Sequence, residues 1–455
     1  MITAALSLLS LTVGCRTPAE IPLVPGPSSF TAIATAHGRT VQTGSIVYGD
    51  YDDCCESDSS CFFSNASSPY GVYDVPPAPG QPIDDPDIQP HTPSFHLRPD
   101  EALVFLGTTP PPAAYFGWRS YLAWRLEDEG PRPILGSLGP SLNNQVVAAA
   151  RAPDPVWGAP FALVTTADAA VEREIVGWLV ESGWDPRWIS VDRIPASLVR
   201  LGFDRDADTF AGVMRVAVFD DPAAGAAYTE NPGVVLRVTP GGAVPAAPAE
   251  PHPVAAVPPR GSGETEQAWQ PAVDALGDAI RARYPDHLPI EVDANPWWFE
   301  TYDCIDDGFC SFDITDRYYA RVPSLYLPTD DTFVIAYGVN HERTGKASYA
   351  NVTIESVANM TGLAGVDSPQ FPGSARTVLP DEPKVDDLYL VVIARDCTQF
   401  PGFACLEVPT GCPGVDLDEE LIVDFRAYLE PATNAAPLHE ELIADRVIKF
   451  FPKPN

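Results

Sequence analysis

The chain has 455 residues, 45% of them hydrophobic, which excludes wholesale disorder and, at roughly 150 residues per domain, leaves room for two or three domains. Sixty-two acidic residues against 28 basic ones give a formal net charge of -34. Such a surface repels phosphate backbones and anionic headgroups and argues against nucleic-acid binding. Proline, at 50 residues, stands at about twice its usual share and points to long ordered loops.

The N-terminus opens on an apolar run, Ala4 to Gly14, with the length of a signal-peptide core and short of the roughly 20 residues that span a bilayer. It ends in Leu11-Thr12-Val13-Gly14-Cys15, followed by polar Arg16 to Glu20. This stretch resembles the lipobox of bacterial lipoproteins, in which a small residue precedes a cysteine that becomes lipidated. The resemblance implies a signal peptide over residues 1–15, a lipid anchor on Cys15 that holds the mature chain to a membrane, and a place in the cell envelope or outside it. It informs location alone. Eight further cysteines remain: Cys54, Cys55, Cys61, Cys304, Cys310, Cys397, Cys405 and Cys412. An even number in an exported chain reads as disulfides. The spacing pairs Cys304 with Cys310 and Cys397 with Cys405 or Cys412, and leaves one of the last two to reach Cys54, Cys55 or Cys61. No C-x-x-C occurs, which counts against zinc.

Residues 16–95 read as a proline-rich, disulfide-tied arm packed on a main body over 96–455. Residues 101–109 and 115–126 follow as buried strands. The stretch 160–195 is the clearest unit. Phe161 to Val164 form a strand, Thr166 or Asp168 caps a helix, Val171, Ile175, Trp178 and Leu179 share a face, Gly183 stops the helix, and Trp188 to Ile194 return as a strand. Strand, helix and strand in so short a length predict a βαβ crossover and a partly parallel sheet. Residues 209–221 and 233–240 look like an antiparallel pair. A proline-rich connector over 240–263 is a possible sub-boundary, and an amphipathic helix follows, its firm part starting at Pro271. From residue 318 onward strands dominate. The fold class is therefore α/β or α+β, with a mixed sheet, at least one βαβ unit, several antiparallel strands and long proline-rich loops.

The motifs of serine hydrolases, zinc proteases, P-loops and dinucleotide-binding folds are absent. Asp204, Asp206 and Asp208 alternate like the start of a calcium loop, although Thr209 and Arg215 stand where an EF-hand needs glycine and glutamate. Calcium is the only cofactor this pattern suggests. In residues 258–267 Arg260, Ser262 and Glu264 are joined by glycines in a helix entry that can also attract anions. The loop Asn340 to Lys346 places His341, Arg343 and Lys346 on six residues of a chain poor in cations. It predicts a hairpin tip whose basic groups face a cleft, with His341 as acid or base, Arg343 as a carboxylate clamp and Asn340, Arg260 and Glu264 as companions. The expected function is an exported envelope lipoprotein that binds a ligand or partner, with a small anionic ligand the natural choice for that loop. The alternative is a secreted enzyme acting on a small polar or anionic substrate with His341, Arg343 and Lys346 in its pocket.

Overall fold

The computed structural model describes residues 24–48, 65–68, 70–82, 93–297, 302–310, 312–358, 361–412 and 414–453. Cys15, Cys54, Cys55 and Cys61 lie outside them. The described strands fall into two halves at the connector 241–266.

The first half is one ten-stranded sheet. Its strands are β1 (Arg39–Tyr48), β2 (Tyr70–Asp74), β3 (Ala102–Thr108), β4 (Ala113–Glu127), β5 (Gly130–Ser137), β6 (Leu142–Asn143), β7 (Pro160–Thr166), β8 (Ile189–Arg193), β9 (Thr209–Phe219) and β10 (Gly233–Pro240). They run in the order β5-β4-β9-β2-β1-β10-β3-β7-β8, with β6 on β4. All pairs are antiparallel except β7–β8. The expected crossover is there: helix α3 (Ala169–Glu181) links β7 to β8, and the Asp168 side chain accepts the amides of Ala170 and Val171 as its cap. Helices α1 (Pro27–Ala36) and α3 cover one face of β3, β7 and β10 with Phe30, Val171, Ile175 and Leu179. On the other face the sheet curls over itself. Trp118 of β4 lies 4.8 Å from Phe161 of β7 and 5.9 Å from Phe105 of β3, centroid to centroid, although β4 and β7 are far apart in the strand order. The curl passes through β1, which pairs with β10 up to Gly44 and with β2 from Ser45. A Cβ at Gly44 would lie 2.3 Å from the Asp74 carbonyl, so only glycine fits the bend.

Two expectations change here. Strands β1 and β2 are interior strands of the sheet, so residues 39–48 and 70–74 belong to the main fold and are not part of an arm laid upon it. Strands β9 and β10 are not partners: β9 pairs with β4 and β2, and β10 with β1 and β3. Helix α4 (Pro222–Glu230), entered through Pro222 and the Asp221 cap, stands between them and carries the chain across the sheet. Helix α2 (Asn144–Arg151) follows β6.

The second half is a sandwich. One layer holds β11 (His287–Asp293), β20 (Arg446–Pro452), β14 (Phe333–Val339), β17 (Leu388–Ala394) and β18 (Ala404–Glu407). The other holds β12 (Asn295–Pro296), β13 (Arg317–Leu325), β19 (Leu421–Tyr428), β15 (Tyr349–Ser356) and β16 (Thr361–Asp367). Val334, Ala336, Val391, Ile393 and Val447 of the first layer pack on Ala320, Val322, Val352, Val423 and Phe425 of the second. Helix α5 (Gln270–Arg283), with Pro271 in its first turn, covers the outer face of the first layer with Val273, Leu276 and Ile280. Helix α6 (Asp303–Asp307) and the Cys304–Cys310 disulfide dock back on the core of the first half. Among the described residues no helix covers the outer face of the second layer. It faces the first half, and the candidate site lies there.

Candidate functional site

The loop 340–346 is not a hairpin tip. It leaves β14 in one sandwich layer and enters β15 in the other, so it crosses the edge of the sandwich. His341 is 3% exposed, its Nδ1 lies 2.8 Å from Glu266 Oε1, and its Nε2 lies 3.6 Å from Asp445. Burial alone would lower its pKa, but the Glu266 charge and hydrogen bond and the nearby Asp445 carboxylate outweigh it and push the imidazole up to about 10. Lys346, also 3% exposed, donates from Nζ to Glu430 and Glu441 at 2.5 Å each and to the Glu264 carbonyl at 2.9 Å. His341 is therefore a fixed cation, not a base titrating near neutrality, and Lys346 is a fully engaged one. Asn340 is buried and its Oδ1 accepts the Glu342 amide. Only Arg343 remains outside, half-exposed and 3.6 Å from Asp387. Ser262 and Glu264 do meet this loop, while Arg260 donates to the Arg317 carbonyl at 3.0 Å. The residues converge, but as a closed ion network that ties the start of α5 to the crossing loop and to the segment before β20.

The acidic run also resolves differently. Asp204 and Asp206 are exposed. The Asp208 carboxylate is fully buried and turned onto Arg125, which holds it through Nε at 2.9 Å and Nη2 at 2.8 Å. The three carboxylates thus form no common oxygen cage. The one described group with ligand atoms close enough for a metal is Cys304, Cys310 and Asp313, and its two sulfurs are bonded to each other. Cys397 pairs with Cys405, and Cys412 is disulfide-bonded as well. These bridges fit an oxidising compartment. Among the described residues no helix is long and apolar enough to cross a membrane.

A different site emerges from strand alternation. On β13, β19 and β15 every second side chain enters the sandwich core. The residues between them are Arg317, Tyr319 and Arg321, Asp424, Arg426 and Tyr428, and Tyr349, Asn351, Thr353 and Glu355. Register sets Arg317 opposite Tyr428, Tyr319 opposite Arg426 and Arg321 opposite Asp424. Such a polar face ordinarily meets water, yet β15 and β19 are buried along their whole length. The outer face of the first sheet covers it, with Tyr70 opposite Arg215 on β2 and β9 and with Tyr115 and Tyr121 on β4. Tyr115 donates to Asp316 at 2.9 Å and Asn143 donates to its other oxygen at 3.0 Å, which joins the two halves.

Guanidiniums dominate the interface between these faces, called here the arginine–tyrosine chamber. Arg317, Arg426 and Arg321 lie 3.9, 4.7 and 5.8 Å from the Tyr319 ring centre. Arg215 lies 4.8 and 5.1 Å from the rings of Tyr70 and Tyr121 and donates to the Tyr121 hydroxyl at 2.7 Å. Among the described residues Arg215 is fully buried and has no carboxylate in contact; its Nε and Nη2 make no well-formed hydrogen bond, although the Tyr70 hydroxyl is close enough to interact with the guanidinium. Arg426 Nε and the Tyr428 hydroxyl are likewise unpartnered. The charges of Arg215, Arg317 and Arg426 all act on the Tyr70 phenol. Burial would raise its pKa, and the three cations together bring it below the ordinary value. Four cations thus converge inside a protein whose net charge is -34.

Sequence reasoning missed this chamber. The signal was present as charged residues alternating with apolar ones in Arg317–Arg321 and Ile422–Tyr428, a pattern that is read as a strand facing water. No protein-family model matches the chain, and no curated protein matches it. Among solved structures it is similar to an uncharacterized protein from Burkholderia cenocepacia, at 11% identity over 93% of this chain and 87% of that one, with a TM-score of 0.42. It is also similar to the VPA0106 protein from Vibrio parahaemolyticus, at 9% identity over 88% and 96%, with a TM-score of 0.38. Likenesses at this level carry no function to this chain.

Proposed function

We propose that this is an exported, envelope-associated binding protein, anchored through Cys15, that holds a small oxyanion in the arginine–tyrosine chamber. One observation carries the reading: Arg215 is a wholly buried guanidinium that, among the described residues, has no carboxylate beside it and meets only the phenols of Tyr121 and Tyr70. Removing such a charge from water costs several kcal/mol per ion unless a partner repays it, and a buried donor left unmade costs about 1–3 kcal/mol. An oxyanion such as sulfate, phosphate or a carboxylate supplies both the charge and the acceptors, in the planar paired geometry that guanidinium favours. Arg317 and Arg426 reach the same space from the opposite half, so the anion would bridge the halves. The half-buried ring of Tyr70 marks its edge. The export and anchoring parts rest on the Leu11–Cys15 stretch and on the disulfides.

Calorimetric titration of the whole protein with sulfate, phosphate and acetate tests the binding. Saturable binding of at least one anion in the wild type, lost in Arg215→Met, is the expected result. Wild-type protein that binds none of the three overturns it. For the anchor, labelled palmitate should enter the wild type and not Cys15→Ala.

A further inference from the structure

Beside the chamber's arginines lies a pair of acids. Glu355 on β15 and Asp424 on the adjacent β19 are held by the same two guanidiniums, and neither exposes any side-chain surface. They share two cations. Arg426 Nη2 bonds to Glu355 Oε1 and lies 3.5 Å from Asp424. Arg321 grips Asp424 through Nε at 2.8 Å and Nη2 at 2.9 Å and lies 3.9 Å from Glu355 Oε2. Acids and guanidiniums therefore alternate around a ring of four. Two carboxylates buried side by side repel each other, which favours one proton on the pair, while the two guanidiniums oppose that effect. Asp424 has the bidentate arginine, which keeps it ionised against the effect of burial. Among the described residues Glu355 Oε2 meets no N–H or O–H donor, which makes it the natural place for a proton. Burial and the Asp424 charge push the Glu355 carboxyl up to about 8.

The other groups facing Glu355 are Tyr319 from β13 and the Thr353 hydroxyl of its own strand. The opposite wall contributes Arg215 and the phenols of Tyr70 and Tyr121. With Glu355 neutral, Arg321 and Arg426 face a single ionised carboxylate of the pair. With Glu355 ionised, a second negative charge claims Arg426 and opposes any incoming anion. We infer that the chamber binds its anion together with a proton held by the Glu355–Asp424 pair, so that the pair is the proton site of a coupled anion-plus-proton ligand. The inference rests on the anion-binding reading above.

Sulfate is the suitable probe, because its own charge does not change across the range tested. Sulfate titrations of the full chain at pH 6.5, 7.5 and 9, each in two buffers of different ionisation enthalpy, read affinity and proton uptake together. Affinity should fall about tenfold between pH 7 and 9, with nearly one proton taken up per sulfate at pH 9. Glu355→Gln should bind sulfate with no pH dependence. Wild-type affinity that is flat from pH 6.5 to 9 with no proton uptake overturns the coupling and leaves the binding reading standing. A pH dependence that survives Glu355→Gln places the proton elsewhere, with Tyr70 the first suspect, and also overturns it. No sulfate binding at any of these pH values, with phosphate or acetate bound at neutral pH, overturns sulfate as ligand and the coupling with it. Should Glu355→Gln fail to fold, the two-buffer measurement on the wild type decides alone.

Discussion

The two buried charge clusters of this protein are built on opposite principles. At the sandwich edge, His341 and Lys346 sit among Glu266, Asp445, Glu430 and Glu441, and each cation touches two carboxylates. Between the halves, Arg321 and Arg426 share Glu355 and Asp424, whereas Arg215 packs on Tyr70 and Tyr121 and has no acid in contact among the described residues. In the first cluster each cation is held by carboxylates of the chain itself, and the cluster acts as a staple between distant segments. The second keeps donors in reserve. Buried charge by itself therefore says little about function, and what separates a clamp from a receptor is whether the partners come from the chain. A buried ion pair is also weak support for stability, since desolvation offsets much of its attraction, while breaking one side of it is costly.

That difference gives the largest expected effect. Lys346→Met leaves Glu430 and Glu441 facing each other without their cation and should lower the unfolding free energy by about 3–5 kcal/mol, read from urea titration. A loss below about 1 kcal/mol would show that the staple is looser than its geometry. Next comes pH. The His341 imidazole is raised from 6.5 to about 10 on folding, so its contribution to stability is fully present below pH 6.5 and is lost as pH rises towards 10. Unfolding titrations across pH 6.5–10 should show that decline in the wild type and a flatter profile in His341→Gln. An equally steep decline in the variant would assign it to other groups. The smallest effect belongs to Arg343, which is half-exposed with Asp387 at 3.6 Å. Arg343→Ala should change stability by no more than about 0.5 kcal/mol and leave anion binding intact. Loss of anion binding in that variant would return the site to the loop.

Much of the fold was legible from local pattern. The apolar run, cap, helical face and stop of residues 160–195 agree with one another, and the βαβ crossover follows. Pro271 marks the start of α5 for the same reason. The pairing of β9 and β10 was misread because adjacency in sequence suggested a hairpin, whereas α4 spans a sheet. The loop 340–346 was found by the scarcity of cations, but its meaning depends on Glu266, Glu430, Glu441 and Asp445. These acids lie between 75 and 104 positions away in the chain, and no local pattern links them to the loop. The arginine–tyrosine chamber was hidden for a related reason. Alternation says which side chains of Arg317–Leu325 and Leu421–Tyr428 point away from the sandwich, but not that a second half of the molecule covers them.

The central claim is that Arg215 is buried for an external anion, and thermal unfolding of wild type and Arg215→Met, each with and without sulfate, tests it most directly. The account predicts that sulfate at about 100 times its dissociation constant stabilises the wild type by about 2.7 kcal/mol, and that Arg215→Met is at least as stable as the anion-free wild type, since an unrepaid charge is gone, and ignores sulfate. If Arg215→Met is strongly destabilised without any anion while sulfate leaves the wild type unmoved, Arg215 is a structural residue with all the partners it needs, and the account is contradicted.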